Sequence, residues 1–258
     1  MNPKIGVAFG SGGVQGLSHI GVVKVLDRHG IKADYVAGTS SGAAIAAAYA
    51  GGFSGEMMEQ AVLRVNLLNF FKVRLDRMGF LHGDDYTDFI DELLENESIE
   101  TAKIPLKLMA VNVTTGEKVV LTKGSIAKAV RASSSIPGVF IPVSMDDMLL
   151  VDGALLDPCP DGEVRRMGAD IVIAISLMPG ADRSEPKNII EILMRSIDII
   201  SRHKEYADTD ILIQPIVGAL SPLKAGMIEE CIRIGELAAL AKIDEIYAQI
   251  NSWKKNHA

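Results

Sequence analysis

Two consecutive strand–turn–helix units at the start of the chain constrain its fold more than any other feature. The first unit is an apolar stretch at residues 4–9, a glycine-rich turn, and a helix with one apolar stripe that ends at Gly30. The second is a short strand at residues 35–38, a tight turn, and an alanine-rich helix at residues 41–49. Successive units of this kind are typical of a mostly parallel sheet with helices on both faces. The sequence therefore predicts a three-layer α/β/α fold.

Further predicted elements extend this sheet and its helices. We expect strands at residues 106–113, 117–121, 148–151, 170–176 and 210–214, and helices at residues 84–95, 125–133, 189–204 and 225–250. No repeat, low-complexity stretch or linker interrupts the 258 residues, and this length suits one large α/β domain. We predict a single domain over residues 1–258, with a catalytic core at about residues 4–215 and a C-terminal helical segment at residues 225–252.

Charge and composition argue against several classes of protein. The net charge of -7 and the absence of a basic cluster argue against a nucleic-acid partner. The 2 cysteines fit a reducing cytosol, and the N-terminal residues lack the pattern of a signal peptide. The longest apolar run, near residues 43–50, is well short of the roughly 20 residues that span a bilayer. We expect a cytoplasmic protein, with peripheral contact at the inner membrane face left open.

The turn of the second unit carries the pattern Gly-x-Ser-x-Gly. Its glycines are Gly38 and Gly42, and its central serine is Ser40. Such a sharp strand-to-helix turn projects the serine hydroxyl from the sheet edge, and the following helix N-terminus stabilises developing negative charge. The pattern predicts a nucleophile, while a tight turn without chemistry is the simpler alternative.

The glycine loop of the first unit offers backbone N–H groups to an anion. Its glycines are Gly10, Gly12, Gly13 and Gly16. One candidate anion is a dinucleotide pyrophosphate, but that fingerprint expects an acidic residue at the end of the second strand, where the serine turn stands instead. The other is the oxyanion formed at a nearby nucleophile. Adjacent turns of a parallel sheet open at the same edge, so we favour an oxyanion hole with Gly12 and Gly13 as donors.

A nucleophilic serine also needs a general base. None of the 5 histidines follows a late strand; His19 is more simply a core or helix-capping residue, while His82 stays a second candidate. Asp152 directly follows the predicted strand at residues 148–151 and precedes Gly153. Asp-Gly is common in turns, and a carboxylate with an ordinary pKa near 4 is a feeble base. Such a carboxylate is a sufficient base if the serine loses its proton only as the oxyanion forms. A mechanism of this kind suits esters and thioesters.

These three motifs, in this order, resemble the patatin-like phospholipase family over about residues 4–215. Similar stretches occur at residues 18–21, 131–137 and 152–160. The resemblance implies a patatin-like fold and a Ser–Asp dyad without histidine. In that dyad Ser40 would be the nucleophile and Asp152 the base, with Gly12 and Gly13 at the oxyanion hole. It also implies that no metal or organic cofactor is needed.

Some positions depart from the family pattern. Ser11 stands where the family usually has glycine, and Gln15 stands where it usually has a basic residue. Asp157 stands where the family often has asparagine, a change that we expect to be minor.

The sequence leaves two main hypotheses about function. The first hypothesis is a serine lipid acyl hydrolase acting on phospholipids, lysophospholipids or other acyl esters. The second, which the uncharged Gln15 keeps open, is a lipid-binding or regulatory protein with little turnover. A nucleotide-binding oxidoreductase is disfavoured by the serine turn.

Neither the lipid, the ester position nor the oligomeric state follows from the sequence.

Residues 66–82 combine large apolar side chains with several cations and show no clean period. Their simplest interpretation is an irregular segment that covers the core. A lid or lipid-contacting flap is the alternative, because apolar side chains interleaved with cations suit an anionic membrane surface. On that alternative the residues that face the substrate or a membrane are Leu67, Leu68, Phe70 and Phe71.

Overall fold

The computed structural model describes residues 1–71, 78–95, 97–177, 185–186, 188–201, 203–218 and 226–257. Over these residues one eight-stranded sheet carries helices on both faces, which confirms the predicted architecture. The strands are β1 (Ile5–Phe9), β2 (Tyr35–Thr39), β3 (Leu106–Asn112), β4 (Glu117–Leu121), β5 (Val143–Met145), β6 (Met148–Asp152), β7 (Ile171–Ile175) and β8 (Ile211–Ile213). The helices are α1 (Ser18–Arg28), α2 (Ser41–Ala50), α3 (Gly55–Leu63), α4 (Asp84–Leu93), α5 (Ile126–Ser133), α6 (Asp161–Arg166), α7 (Ile189–Ser201), α8 (Met227–Leu240) and α9 (Ile243–Asn256).

The sheet is parallel along most of its width and antiparallel at one side. Strands β3, β2, β1, β7 and β8 lie side by side in that order and run parallel. Strands β4 and β6 pair antiparallel with β3, and β5 pairs antiparallel with β6. Parallel strands place their carboxyl ends at one edge of the sheet, so the turns after β1 and β2 open on the same side.

The two faces of the sheet bury side chains of different size, because successive residues of a strand point to opposite faces. On one face, large side chains such as Phe9 and Ile173 join the main core with residues of α1, α2, α5 and α8. On the other face, small side chains such as Ala8 and Ala174 pack with Val164 of α6. The short α6 therefore lies close against the sheet.

Strand β3 brings the ends of β2 and β6 together. Leu108 pairs with Gly38 of β2 and also with β4, so β2 and β4 lie along opposite edges of β3. Ala110 pairs with β4 and with Asp152 of β6, so β6 shares the edge that β2 occupies. The two strands run toward each other along that edge. Strand β2 ends at Thr39 and strand β6 ends at Asp152. These two residues therefore pair with neighbouring residues of β3.

Several elements differ from the sequence-based prediction. Helix α3 was not predicted, although Ser54 marks its start and accepts a hydrogen bond from the Met57 N–H at 3.2 Å. Strand β5 and helix α6 are too short to show a period. The predicted helix at residues 225–250 is two helices, α8 and α9. No glycine or proline marks the break at residues 241–242.

Candidate active site

Ser40 forms the turn between β2 and α2 with a backbone conformation that few residues adopt. Its φ is 56° and its ψ is -124°, and such a conformation costs about 1–3 kcal/mol for a residue with a side chain. The Ser40 N–H donates to the Ser133 hydroxyl at 2.9 Å. The side chain is buried, since only 5% of the residue is exposed. Local strain of this kind is typical of a nucleophile at a strand-to-helix turn.

The glycines around Ser40 are required by close backbone approaches. A Cβ on Gly38 would lie 2.4 Å from the carbonyl oxygen of Gly42, and one on Gly42 would lie 2.2 Å from that of Phe9. A Cβ on Gly16 would lie 2.3 Å from the Ser41 hydroxyl. The serine turn therefore packs directly against the end of β1 and the glycine loop, as the order of the parallel strands predicts.

Asp152 lies within hydrogen-bonding distance of the serine. The Ser40 hydroxyl donates to Asp152 Oδ2 at 2.7 Å. The other carboxylate oxygen, Oδ1, accepts the Ala154 N–H at 2.9 Å, and the Asp152 N–H donates to the Ser135 carbonyl at 2.9 Å. Both carboxylate oxygens are thus oriented, and the residue is only 2% exposed. A Cβ on the next residue, Gly153, would lie 2.4 Å from the Met109 carbonyl oxygen.

Burial changes the proton affinity of Asp152. Loss of contact with water raises the pKa of its carboxyl to about 6, although the hydrogen bonds from Ala154 and Ser40 act in the opposite direction. Because of burial, the pKa of the Asp152 carboxyl thus lies above the ordinary value near 4. A carboxylate with a pKa of about 6 is a better general base than an exposed one.

The glycine loop presents backbone amides beside the serine turn. Gly10 N–H donates to the Ile175 carbonyl at 2.9 Å and Ser11 N–H to the Pro158 carbonyl at 2.7 Å, which fixes the start of the loop. Within the described part of the chain, the amides of Gly12 and Gly13 donate to no protein group. Gly12 lies so close to Leu177 that a Cβ would meet its Cδ1 at 2.2 Å. Two free amides here suit an anion.

Neither of the two candidate histidine bases, His19 and His82, is hydrogen-bonded to the serine hydroxyl among the described residues. His19 is fully buried, and its Nε2–H donates to the Gly10 carbonyl at 2.8 Å. Burial lowers the pKa of His19 to about 4 against the opposing effect of that hydrogen bond, so the ring is neutral and anchors the glycine loop. The His82 backbone carbonyl accepts from Arg131. Among the described residues, no hydrogen bond joins the His82 ring to Ser40 or Asp152.

The supporting groups came from a stretch to which the sequence analysis assigned no role. Ser133 and Ser135 belong to residues 131–137, which were noted only as similar to the family. Arg131 holds this stretch through hydrogen bonds to the Ser135 hydroxyl at 2.5 Å and the Ile141 carbonyl at 2.9 Å. A run of small polar residues at the end of an amphipathic helix was the sequence feature that could have indicated this role. It did not show that Ser133 and Ser135 contact Ser40 and Asp152.

The predicted lipid-contacting residues are only partly described. Leu67 packs against the core, and the ring of Phe70 lies 5.4 Å from those of Tyr86 and Phe89. The side chains of Leu68 and Phe71 lie outside the described residues, as do residues 72–77. The two described side chains thus pack against protein, and contact of this segment with lipid stays a prediction.

The described groups of the site are a hydroxyl, a carboxylate and backbone amides, a set that suits acyl transfer. Over the same residues, no group of His, Cys, Asp and Glu side chains is arranged to hold a metal ion. None of the helices that the structure describes has the length and apolarity needed to cross a bilayer.

Comparison with known sequences identifies relatives. The sequence model of a family described as patatin-like phospholipase matches residues 7–162. An uncharacterized NTE family protein of Mycobacterium tuberculosis is 32% identical over 203 residues, which cover 76% of this chain and 56% of that protein. The chain thus spans about half the length of this relative. Lysophospholipase NTE1 of Scheffersomyces stipitis is 27% identical over an alignment 284 residues long, and this alignment covers 99% of this chain and 18% of that protein.

Comparison with solved structures supports the fold. VipD from Legionella pneumophila matches with a TM-score of 0.67 and 13% identity over 95% of this chain and 67% of that one. The type III effector protein ExoU matches with a TM-score of 0.53 and 12% identity, over 95% of this chain and 53% of that one. At such identities the likeness concerns the fold alone. The family match covers the glycine loop, the serine turn and Asp152, and the chain therefore belongs to the patatin-like phospholipase family.

Proposed function

We propose that this chain is a lipid acyl hydrolase that uses Ser40 as nucleophile and Asp152 as general base. The observation that carries the proposal is the 2.7 Å hydrogen bond from a hydroxyl on a strained turn to a buried carboxylate. Family membership and the lysophospholipase name of the Scheffersomyces stipitis relative support a lipid ester as substrate. Peripheral contact with a membrane belongs to the same proposal.

The first half of the reaction forms an acyl-enzyme. Ser40 Oγ attacks the acyl carbonyl carbon while its proton passes to Asp152 Oδ2. The carbonyl oxygen becomes an oxyanion that accepts hydrogen bonds from the Gly12 and Gly13 amides and is stabilised by the N-terminus of α2. Collapse of this intermediate breaks the ester C–O bond, and the departing alcohol takes the proton from Asp152.

The second half releases the fatty acid. Asp152 accepts a proton from water, whose oxygen attacks the acyl carbon of the Ser40 ester. The second oxyanion uses the same amides, and its collapse breaks the bond to Ser40 Oγ, which regains the proton. Esters suit this dyad better than amides, because an alkoxide leaves more readily than an amide nitrogen and therefore asks less of a carboxylic acid.

The alternative is a lipid-binding or regulatory protein with little turnover. Gln15 occupies the place of a family cation, and its Nε2 donates to the Gly218 carbonyl at 3.4 Å. A neutral side chain here stabilises an anion less than a cation would. This observation keeps the alternative as a second candidate, which predicts lipid binding without release of acyl chains.

Release of fatty acid from phospholipids, lysophospholipids and short esters is the test of the proposed function. We expect wild-type protein to release acyl chains from at least one class. Ser41→Ala is the matched control, because Ser41 is the adjacent serine and its hydroxyl makes no hydrogen bond within the described structure. It should retain activity within about threefold. Binding of these lipids without acyl release would contradict hydrolysis and support the alternative.

The pH dependence of hydrolysis should report the carboxyl group of Asp152. A general base must be ionised, and burial raises the pKa of Asp152 to about 6, so kcat/KM should be constant above that pH and fall about tenfold per pH unit below it. Initial rates between pH 4.5 and pH 8 measure this, with circular dichroism over the same range to exclude acid unfolding. An acid limb near pH 4 would contradict the assignment.

A further inference from the structure

The turn that follows Asp152 contacts every part of the proposed site. The Asp157 N–H donates to the Gly153 carbonyl at 2.9 Å, next to the base. The Asp157 carbonyl accepts the Thr39 hydroxyl at 2.8 Å, next to the nucleophile. The following residue, Pro158, accepts the Ser11 N–H at 2.7 Å, at the start of the glycine loop. Two consecutive residues thus connect the three segments whose relative placement the reaction needs.

The side chain of Asp157 is held by two lysines from distant parts of the chain. Lys118 Nζ of β4 lies 3.0 Å from its Oδ2, and Lys204 Nζ, beyond α7, lies 3.2 Å from its Oδ1. The Asp157 side chain is only 8% exposed. Each lysine also reaches a second buried carboxylate, Glu163 at 2.9 Å from Lys118 and Asp161 at 2.8 Å from Lys204. Buried charges persist only when they are paired in this way.

The lysines stay charged over the range in which Asp152 titrates. Burial acts to lower the pKa of Lys118, but hydrogen bonds and charge interactions with Glu163 and Asp157 outweigh it and raise that pKa. The pKa of Lys204 is raised by Asp161 and Asp157 against the same effect of burial. For Glu163, burial acts to raise the pKa, but Arg166 and Lys118 lower it to about 2. The cluster therefore provides a fixed arrangement of charges.

We propose that Asp157, held by Lys118 and Lys204, is a positioning residue that sets the placement of Ser40, Asp152 and the glycine loop relative to one another. The proposal rests on the proposed function. It replaces the expectation that aspartate in place of the family's asparagine is a minor change, because a neutral amide cannot pair with two cations. A shift of about 1 Å in the reacting groups can lower a rate by about 100-fold, so small displacements here matter.

Charge removal tests the proposal through the rate of the chemical step. We expect Asp157→Asn and Lys204→Met each to lower kcat at least about tenfold, with KM changed less than about twofold, because the displaced groups act on chemistry and not on lipid binding. Lys204→Arg keeps the cation and should recover most of kcat. The double variant Asp157→Asn/Lys204→Met should lose less than the product of the two single losses, since both substitutions remove the Asp157–Lys204 pair.

Lys24→Met is the matched control. Lys24 is equally a bridging lysine, with Nζ 2.6 Å from Glu59 and 2.7 Å from Glu236 and a side chain 10% exposed, but it joins α1, α3 and α8 away from the dyad. This variant should unfold at lower temperature and keep kcat within about twofold. An equal loss of kcat in Lys24→Met, or wild-type kcat in Asp157→Asn, would overturn the proposal.

Hydrogen exchange at the Ser11 and Asp157 amides tests the placement without turnover. In Asp157→Asn we expect both amides to exchange at least about tenfold faster than in wild type, while the Gly10 amide is unchanged. Unchanged exchange at both would overturn the positioning role. If wild-type protein hydrolyses no ester, the proposed function fails, and this exchange result still decides whether Asp157 fixes the three segments.

Discussion

Asp152→Asn is expected to lower kcat by about 10³-fold or more without preventing folding. The amide has the shape of the carboxylate and can still accept the Ala154 N–H, but it cannot take the proton of Ser40. Hydrolysis of the best ester substrate measures the effect. Asp34→Asn is the control, since Asp34 also accepts a backbone N–H, that of Ile5 at 2.9 Å, but at the opposite end of β1. A variant of Asp152 that keeps most of its rate would require another base, and His82 would be examined first.

The same substitution should stabilise the protein at neutral pH. The folded-state pKa of about 6 lies above the ordinary value of 3.8. Between these values the folded state holds more protons than the unfolded state, so the free energy of unfolding falls as pH rises through this interval. Above pH 6 the buried charge costs up to about 3 kcal/mol, which an asparagine avoids. Urea unfolding should show the variant more stable at pH 8 and the difference much smaller at pH 4. An equal difference in the free energy of unfolding at pH 4 and pH 8 would contradict the explanation that removal of the buried charge stabilises the variant.

Ser40→Ala is the second large effect, and we expect it to lower hydrolysis by about 10⁴-fold or more. The substitution removes the atom that attacks the ester, and the neighbouring Ser41 hydroxyl lies against Gly16 instead. Ser40→Gly should be equally inactive but about 1 kcal/mol more stable than Ser40→Ala, because glycine adopts a φ of 56° without strain. Equal unfolding free energies of the two variants would show that the turn stores no strain.

The serine turn could be predicted because its constraints are local. Gly38 and Gly42 are required by backbone approaches within the turn and to β1, so the pentapeptide itself carries the information. The meeting of Ser40 with Asp152, 112 residues later, depends on β2 and β6 sharing one edge of β3. No local pattern encodes that pairing. Asp152 became a candidate because it directly follows a predicted strand, and the family resemblance then implied its pairing with Ser40.

The energetic properties of the site could be predicted less well from the sequence than its turn. The raised pKa of Asp152 follows from burial, which depends on how α5 and the turn after β6 pack around it. The proposed role of Asp157 depends on Lys118 of β4 and Lys204 after α7, which pair with its carboxylate. Both lysines are distant from Asp157 along the chain, and no sequence pattern indicates that they meet it. The short α6 was missed because its 6 residues show no period, and the break between α8 and α9 was missed because no glycine or proline marks it.

Covalent labelling of Ser40 by a fluorophosphonate tests whether Ser40 and Asp152 act as one reactive pair. We expect a single label on the peptide that contains Ser40, found by mass spectrometry, and no label in Ser40→Ala. We also expect a labelling rate at least about 100-fold lower in Asp152→Asn. Labelling of a different residue, or Asp152→Asn labelled as fast as wild type, would contradict it.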